Sequence, residues 1–339
     1  MNDFPRIWTR RPTILEPRDL VVAQAMRTPI TGHFKLTVHK GDPNRPSRVL
    51  EFDNLITDAG LDMIGQAVEG VGRAVVGTGT NTPSTLDTTL QTQLAVTATV
   101  FSSSTGDQPS SPYFGHATST FRFSQGAAAG NLTEVGVGRT TGSPVPVFSR
   151  ALILDGFGSP TTLTILSDEF LDVTYTYRIY PNESDVTGGT VVIAGVTYDV
   201  TVRASLVTND QEWLPPLSGL FGGIKTTGIG VPILATRETQ TLGAITAEPS
   251  GSSGGATSGS NAAYVNGNYY RDFTLSFALG DSNFTTGIGS VRINMGDGLL
   301  NVGRGGAWQM NFSGPASAKI PKDASKIMSL TFRNSWARH

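Results

Sequence analysis

Three acidic side chains within five residues, Asp168, Glu169 and Asp172 of SDEFLDVTYTYRIYP, form the densest carboxylate group in the chain. Acid–base chemistry would be sought here first. Paired carboxyls cleave glycosides when they stand roughly 5 to 10 Å apart across the scissile bond. In an extended segment Asp168 and Asp172 fall about 13 Å apart along one side, beyond that range. Alternation assigns them to an even face with Thr174, Thr176 and Arg178, and leaves Leu171, Val173, Tyr175, Tyr177 and Ile179 as the odd, buried face. Glu169 precedes the apolar run and is expected in the turn. The stretch is predicted to be a turn feeding a half-buried strand, with both aspartates facing water.

The remaining chemistry-bearing residues are weaker candidates. Gly251, Ser253 and Gly255 satisfy G-x-S-x-G, but they lie in a Gly/Ser tract without the strand-to-helix elbow that exposes a nucleophile. Gly136, Gly138 and Gly142 have the wrong spacing for a phosphate loop, and Pro144 and Pro146 deny the helix whose N-terminus would hold the anion. Gly222, Gly223, Lys225 and Thr226 fail the P-loop pattern by one residue. His33 and His39 share a strand face but stand about 20 Å apart, too far for one metal. His116 and His339 complete the histidines. GDSN (Asp281, Asn283) and NMGDG (Asn294, Asp297) offer oxygen ligands for calcium, although turns collect such residues anyway. Tyr264, Tyr269 and Tyr270 are suited to stacking on a sugar, with core or interface packing the stronger expectation. No catalytic, cofactor-binding or metal-ligating residue is assigned, and no enzyme activity is expected.

The elements that would position these residues are mostly strands. HFKLTVHK alternates, with Phe34, Leu36 and Val38 on one side. EFDNLITDAGLDMIGQAVEG changes period: Leu61, Ile64 and Val68 form a helical stripe that Thr57 or Asp58 caps and Gly70 ends. A second short helix is expected over PSTLDTTLQTQL, with Ser84 as cap, Asp87 three residues on, and Leu86, Leu90 and Leu94 as its stripe. Short alternating runs follow, separated by turn residues as in an antiparallel sandwich. Ala194 and Gly195 join two β-branched runs as a hairpin. At the end of the chain, alternation buries Met328, Leu330 and Phe332.

Composition fits this pattern. Charged residues are only 15%, while Gly (40) and Pro (19) are plentiful, which favours short strands and many turns over coiled coil or charged disorder. A net charge of −2 provides no field for nucleic acid, despite the basic first 48 residues. Without cysteine, no disulfide or thiolate site staples the fold. MNDFPRIWTRRP has no apolar core of signal-peptide length, and no later stretch approaches the roughly 18 apolar residues of a membrane span. No membrane insertion is expected.

The expected fold is mainly β: antiparallel sandwich domains with one or two short helices. Residues 1–30 read as an extended, basic, Pro-rich arm, 31–183 as an N-terminal β-rich domain, and 184–339 as a C-terminal sandwich carrying a flexible Gly/Ser-rich loop at 248–261.

The linked order of LITDAGLDMIG, VGTGTNTPSTLDTTLQTQL, FSRALI and LDVTYTYRIYP, with IPKDASKIMSLTFRNSWAR at the end, resembles tail and tail-fibre proteins of tailed bacteriophages. The likeness spans roughly residues 50 to 181 and, less specifically, the last 20. It implies a virion structural protein, made in the bacterial cytoplasm, that acts by assembly and carries no catalytic residues. Its implied partners are other copies of itself and neighbouring virion proteins, the latter through the arm. A trimer is the first expectation for a fibre-like part, and a sixfold ring the alternative for a tail tip, collar or baseplate. A module binding host-surface glycan and a head-decoration or neck protein are the other readings.

Overall fold

The computed structural model describes residues 13–15, 21–66, 68, 70–209, 212–213, 233–256, 258–294 and 306–339. The chain is mainly β, as its alternating patterns predict, with several antiparallel sheets and one α-helix among the described residues. The largest sheet has nine strands. Its path runs Ser258–Asn261, Tyr270–Phe277, Lys326–Arg338, Val21–His39, Phe170–Ile179, Gly115–Phe123, Val100–Asp107; Thr13–Leu15 also pairs with Lys326–Arg338, and Arg48–Asp53 with Val21–His39.

The expected parity of Phe170–Ile179 holds on its inner face. Leu171, Val173, Tyr175, Tyr177 and Ile179 are all buried. Register places Tyr175 opposite Phe34 on one side and Ser119 on the other. The inner face packs on a five-stranded sheet ordered Leu55–Ile56, Val147–Leu152, Glu134–Gly138, Arg73–Gly77, Gln93–Thr97. Phe148 of this sheet meets Tyr177 edge-on at 5.5 Å and Tyr175 at 6.5 Å between ring centroids. The outer face is a hydroxyl ladder, with Thr118 to Thr176 at 3.0 Å and Thr120 to Thr174 at 2.9 Å. A sheet with one apolar and one polar face produces the alternation seen in the sequence.

The helix Asp58–Gln66 starts where Thr57 caps it: the Gly60 N–H donates to Thr57 Oγ1 at 2.9 Å. Leu61 and Ile64 are buried, as their spacing requires. Gly60 lets the helix approach the neighbouring strand, since a Cβ there would lie 2.2 Å from the Phe148 carbonyl oxygen.

The second expected helix does not form. The Ser84 N–H does donate to Asp87 Oδ2 at 2.8 Å, but only a turn results, and Gln93–Thr97 is a strand. The leucine stripe has no surface to cover: Leu90 is buried while Leu86 remains 78% exposed. A helix this short needs a packed apolar face to persist.

A third sheet has six strands in the order Val186–Ile193, Val196–Ala204, Ala307–Ser313, Ser290–Asn294, Ile233–Arg237, Ser253–Gly254. Its first pair is the predicted hairpin, with Ile193 opposite Val196 and positive φ at Ala194 (53°) and Gly195 (81°), as a type I′ turn demands.

Between Ile179 and Val186 the chain leaves the nine-stranded sheet for the six-stranded one. It then returns, since Ser258–Asn261, Tyr270–Phe277 and Lys326–Arg338 belong to the nine-stranded sheet. Met328, Leu330 and Phe332 are buried there as predicted, with Phe332 stacked on Phe273 at 5.4 Å. Much of the expected arm is also strand: Val21–His39 runs parallel to Lys326–Arg338 from Val21 opposite Phe332 to Ile30 opposite Arg338. Residues 1–12 and 16–20 of the arm lie outside the described residues. The Gly/Ser tract, expected as a flexible loop, includes two edge strands, Ser253–Gly254 and Ser258–Asn261. Its small residues permit close approach, for a Cβ at Gly254 would stand 2.8 Å from the Ser282 Cα.

Candidate assembly surface

The acidic cluster is held by basic partners within the same chain. Asp168 is exposed and accepts from Lys40 Nζ at 2.7 Å. Asp172 lies on the even face as expected, but it is buried, against expectation. Arg122 of the adjacent strand grips it through Nε and Nη2, each at 2.7 Å, with Phe101 3.4 Å below the guanidinium and His39 Nε2 3.3 Å away. Glu169 sits in the turn, as expected, where it bonds Arg48 and accepts the Leu166 N–H at 2.8 Å. The carboxylates therefore close ion pairs and do not converge on a cleft.

Glu169 should make the fold acid-sensitive. Burial pushes its pKa up, but the Leu166 N–H and the Arg48 guanidinium outweigh that and hold it below the ordinary carboxylate range. Asp168, Glu51 and Asp185 are lowered in the same direction by Lys40, Lys35 and Arg203. A depressed folded-state pKa contributes stability that is full above the unfolded value, roughly pH 4.3 for Glu, and disappears as pH falls through the folded value. Urea midpoints should thus fall between pH 5 and pH 3, and Glu169→Gln should flatten that fall while lowering the midpoint at pH 7.

The other sequence candidates are likewise engaged in structure. Ser253 is exposed on an edge strand, and Gly136 and Gly138 lie within a strand, not a phosphate loop. Gly222, Gly223, Lys225 and Thr226 lie outside the described residues. His33 bonds Asp53 at 2.9 Å, His39 faces Asp172, His116 sits opposite Arg178, and the His339 ring lies 4.5 Å from Tyr180. Among the described residues no three His, Asp or Glu are grouped to hold a metal. At GDSN the cation is internal. The Lys322 ammonium, buried to 1% exposure, donates to the Asp281 carbonyl at 2.8 Å and to Asn283 Oδ1 at 2.9 Å. Of NMGDG, Asn294 ends the strand Ser290–Asn294 and donates to Glu212 at 2.9 Å, and Asp297 lies outside the described residues. Tyr264 turns inward, donating to Asp62 at 2.6 Å beside Trp336, and Tyr270 lies under Arg333 at 3.6 Å.

A clasp centred on Glu134, absent from the sequence reading, organises the loop between Arg73–Gly77 and Gln93–Thr97. This fully buried carboxylate accepts the N–H groups of Gly79, Gln91 and Thr92 at 3.0, 3.1 and 2.8 Å, and Arg150 Nε at 3.0 Å. Arg150 in turn binds Asp87 and donates to the Asn81 carbonyl at 3.0 Å. A visible signal is a charge inside each of two apolar strand runs, EVGVG and VFSRAL.

The clasp presents the loop's exit as a ridge. Gln93–Thr97 ends the five-stranded sheet and Val100–Asp107 ends the nine-stranded path, so two sheet edges meet within 15 residues. Leu94, Val96, Val100 and Phe101 are between 42% and 53% exposed there. A cavity of about 220 Å³, lined by Val96, Thr97, Arg122 and Phe170 among others, opens beside them. Asp107 is the one charged residue in these two strands. Unpaired edges are ordinarily protected by charge, proline or cover, because they template pairing with another chain. Among the described residues nothing pairs with the outer side of either strand. Comparison of the chain with family models, with curated proteins and with solved structures returns no match.

Proposed function

We propose that the protein is a structural component of a tailed-phage virion, tail-associated as a fibre, tail-tip or baseplate part, that works by assembly of identical copies and not by catalysis. The observation that carries the assembly half is the 93–107 ridge: two edges with Asp107 as their one charge, bearing exposed Leu94, Val96, Val100 and Phe101. Closed symmetry among copies covers such edges, with a trimer first and a sixfold ring second. The virion half is supported by the resemblance of residues 50 to 181 to phage tail proteins. In this proposal the arm reaches neighbouring virion proteins.

Immunogold labelling of purified tailed particles with antibody against this chain tests the virion half. Gold confined to the tail is the expected result. Label on the head would replace the tail assignment with a head-decoration role, and unlabelled particles whose dissociated proteins also lack the chain would refute the virion proposal.

A further inference from the structure

We infer that the end of the nine-stranded sheet carries a binding site for an acidic sugar, a uronic acid residue whose carboxylate is taken by Arg178. Arg122, Arg178 and Arg333 are among the arginines that project from the polar face of this sheet. Arg122 and Arg333 each meet a cross-strand aspartate in a two-pronged pair, Asp172 at 2.7 Å for both contacts and Asp272 at 2.7 and 2.9 Å. Arg178 stands opposite His116 and Thr31, where neither neighbour is acidic. Among the described residues it makes no ion pair or hydrogen bond, its Nε is buried without a partner, and its guanidinium rests over Phe114 at 5.1 Å. A guanidinium fork fixed on an aromatic ring and lacking an acceptor is matched in shape and charge by a carboxylate.

The space beside it suits a sugar. A cavity of about 400 Å³ is lined by Thr31, Asn54, Arg178, Tyr180, Arg338 and His339, with others, within the size range of small-ligand sites. Tyr180 and His339 form a ring pair at its wall, 4.5 Å between centroids, and supply flat faces for the apolar side of a pyranose. Thr31 and Tyr180, whose hydroxyls lie 3.3 Å apart, offer hydroxyl partners. Arg338, ion-paired with Asp58 and bonded to the Ile56 carbonyl, also lines the cavity, as does Asp53, which bonds His33. On the far side of Tyr180 and His339 a second cavity of about 350 Å³, reaching Arg27, leaves room for an adjoining sugar.

Titration calorimetry of the full chain with glucuronate and galacturonate, against glucose, methyl glucuronate ester, acetate and inorganic phosphate, tests the site. At least one uronate should bind, with glucose and the ester weaker by about tenfold or more, since each lacks the charge-assisted hydrogen bonds. Arg178→Gln should weaken the uronate by a similar factor with an unchanged circular dichroism spectrum, and Tyr180→Ala should weaken it while sparing acetate. If Arg178→Gln does not fold, Thr31→Val should still reduce uronate affinity. Failure of both uronates to bind, affinity unchanged in Arg178→Gln, or acetate or phosphate binding as tightly as the uronate would overturn the sugar site; the last outcome would leave a bare oxyanion or acidic-peptide contact.

Discussion

Glu134→Ala should lower the unfolding free energy by about 4 kcal/mol, the scale for removing one member of a buried ion pair. The reason is the number of groups left without a partner. Glu134 is fully buried and holds three backbone N–H groups together with the Arg150 guanidinium, itself only 2% exposed. Without the carboxylate, Arg150 keeps only Asp87 and the Asn81 carbonyl, and each orphaned N–H adds a desolvation cost. The loop from Thr78 to Thr92 should loosen first, so amide exchange should accelerate at Gly79, Gln91 and Thr92 before the strands respond. Glu51→Gln is the matched control. Its partner Lys35 stands 2.8 Å away with both side chains about half exposed, so the substitution should cost less than about 1 kcal/mol. Urea unfolding of the two variants beside the wild type gives the comparison, and equal costs would refute the clasp.

Tyr175→Ala should be nearly as damaging, about 3 to 5 kcal/mol, as for large aromatic side chains removed from a packed core. The ring is completely buried between Phe34 at 4.9 Å and Phe148 at 6.5 Å, and its hydroxyl accepts from Asn54 at 3.2 Å. Burial pushes its pKa well above the ordinary phenol value, with Ser149 and Asn54 opposing. Asp168→Asn, seven residues earlier, breaks only the exposed contact with Lys40 and should leave the urea midpoint nearly unchanged. Asp172→Asn should fall between them, at about 2 kcal/mol, because the pair with Arg122 is buried on the carboxylate side. A tolerated Tyr175→Ala beside a disruptive Asp168→Asn would reverse the strand's two faces.

Much of this was legible locally. Period-two alternation marked the inner faces of Phe170–Ile179 and Lys326–Arg338, and Ala194 with Gly195 marked the hairpin, because neighbours along the chain determine parity and turn type. What escaped depends on distant partners. Asp172 has the right parity for solvent, yet Arg122, 50 residues earlier, covers it. Ser84 and Asp87 form the same local bond in a turn as in a capped helix, so the bond does not tell the two apart, and the partner of Asp87, Arg150, lies 63 residues away. Leu94 looked like the end of a helical stripe, which hid the strand Gln93–Thr97 and with it half of the ridge. The parallel pairing of Val21–His39 with Lys326–Arg338 joins segments some 300 positions apart and leaves no local mark. Arg178 was seen on the even face, but its lack of an acid became visible only once register supplied its neighbours.

Native mass spectrometry of the purified full chain, beside the double variant Val96→Lys/Val100→Lys, is the most direct measurement of whether the ridge assembles copies. These two positions are 42% and 53% exposed, one on each edge, so lysines there should block pairing without touching the core. The wild type should fly as a closed oligomer, three copies first, and the variant at the mass of one chain with an unchanged circular dichroism spectrum. A wild type that remains a single chain at tens of micromolar, or a variant that assembles as well as the wild type, would contradict assembly through the ridge.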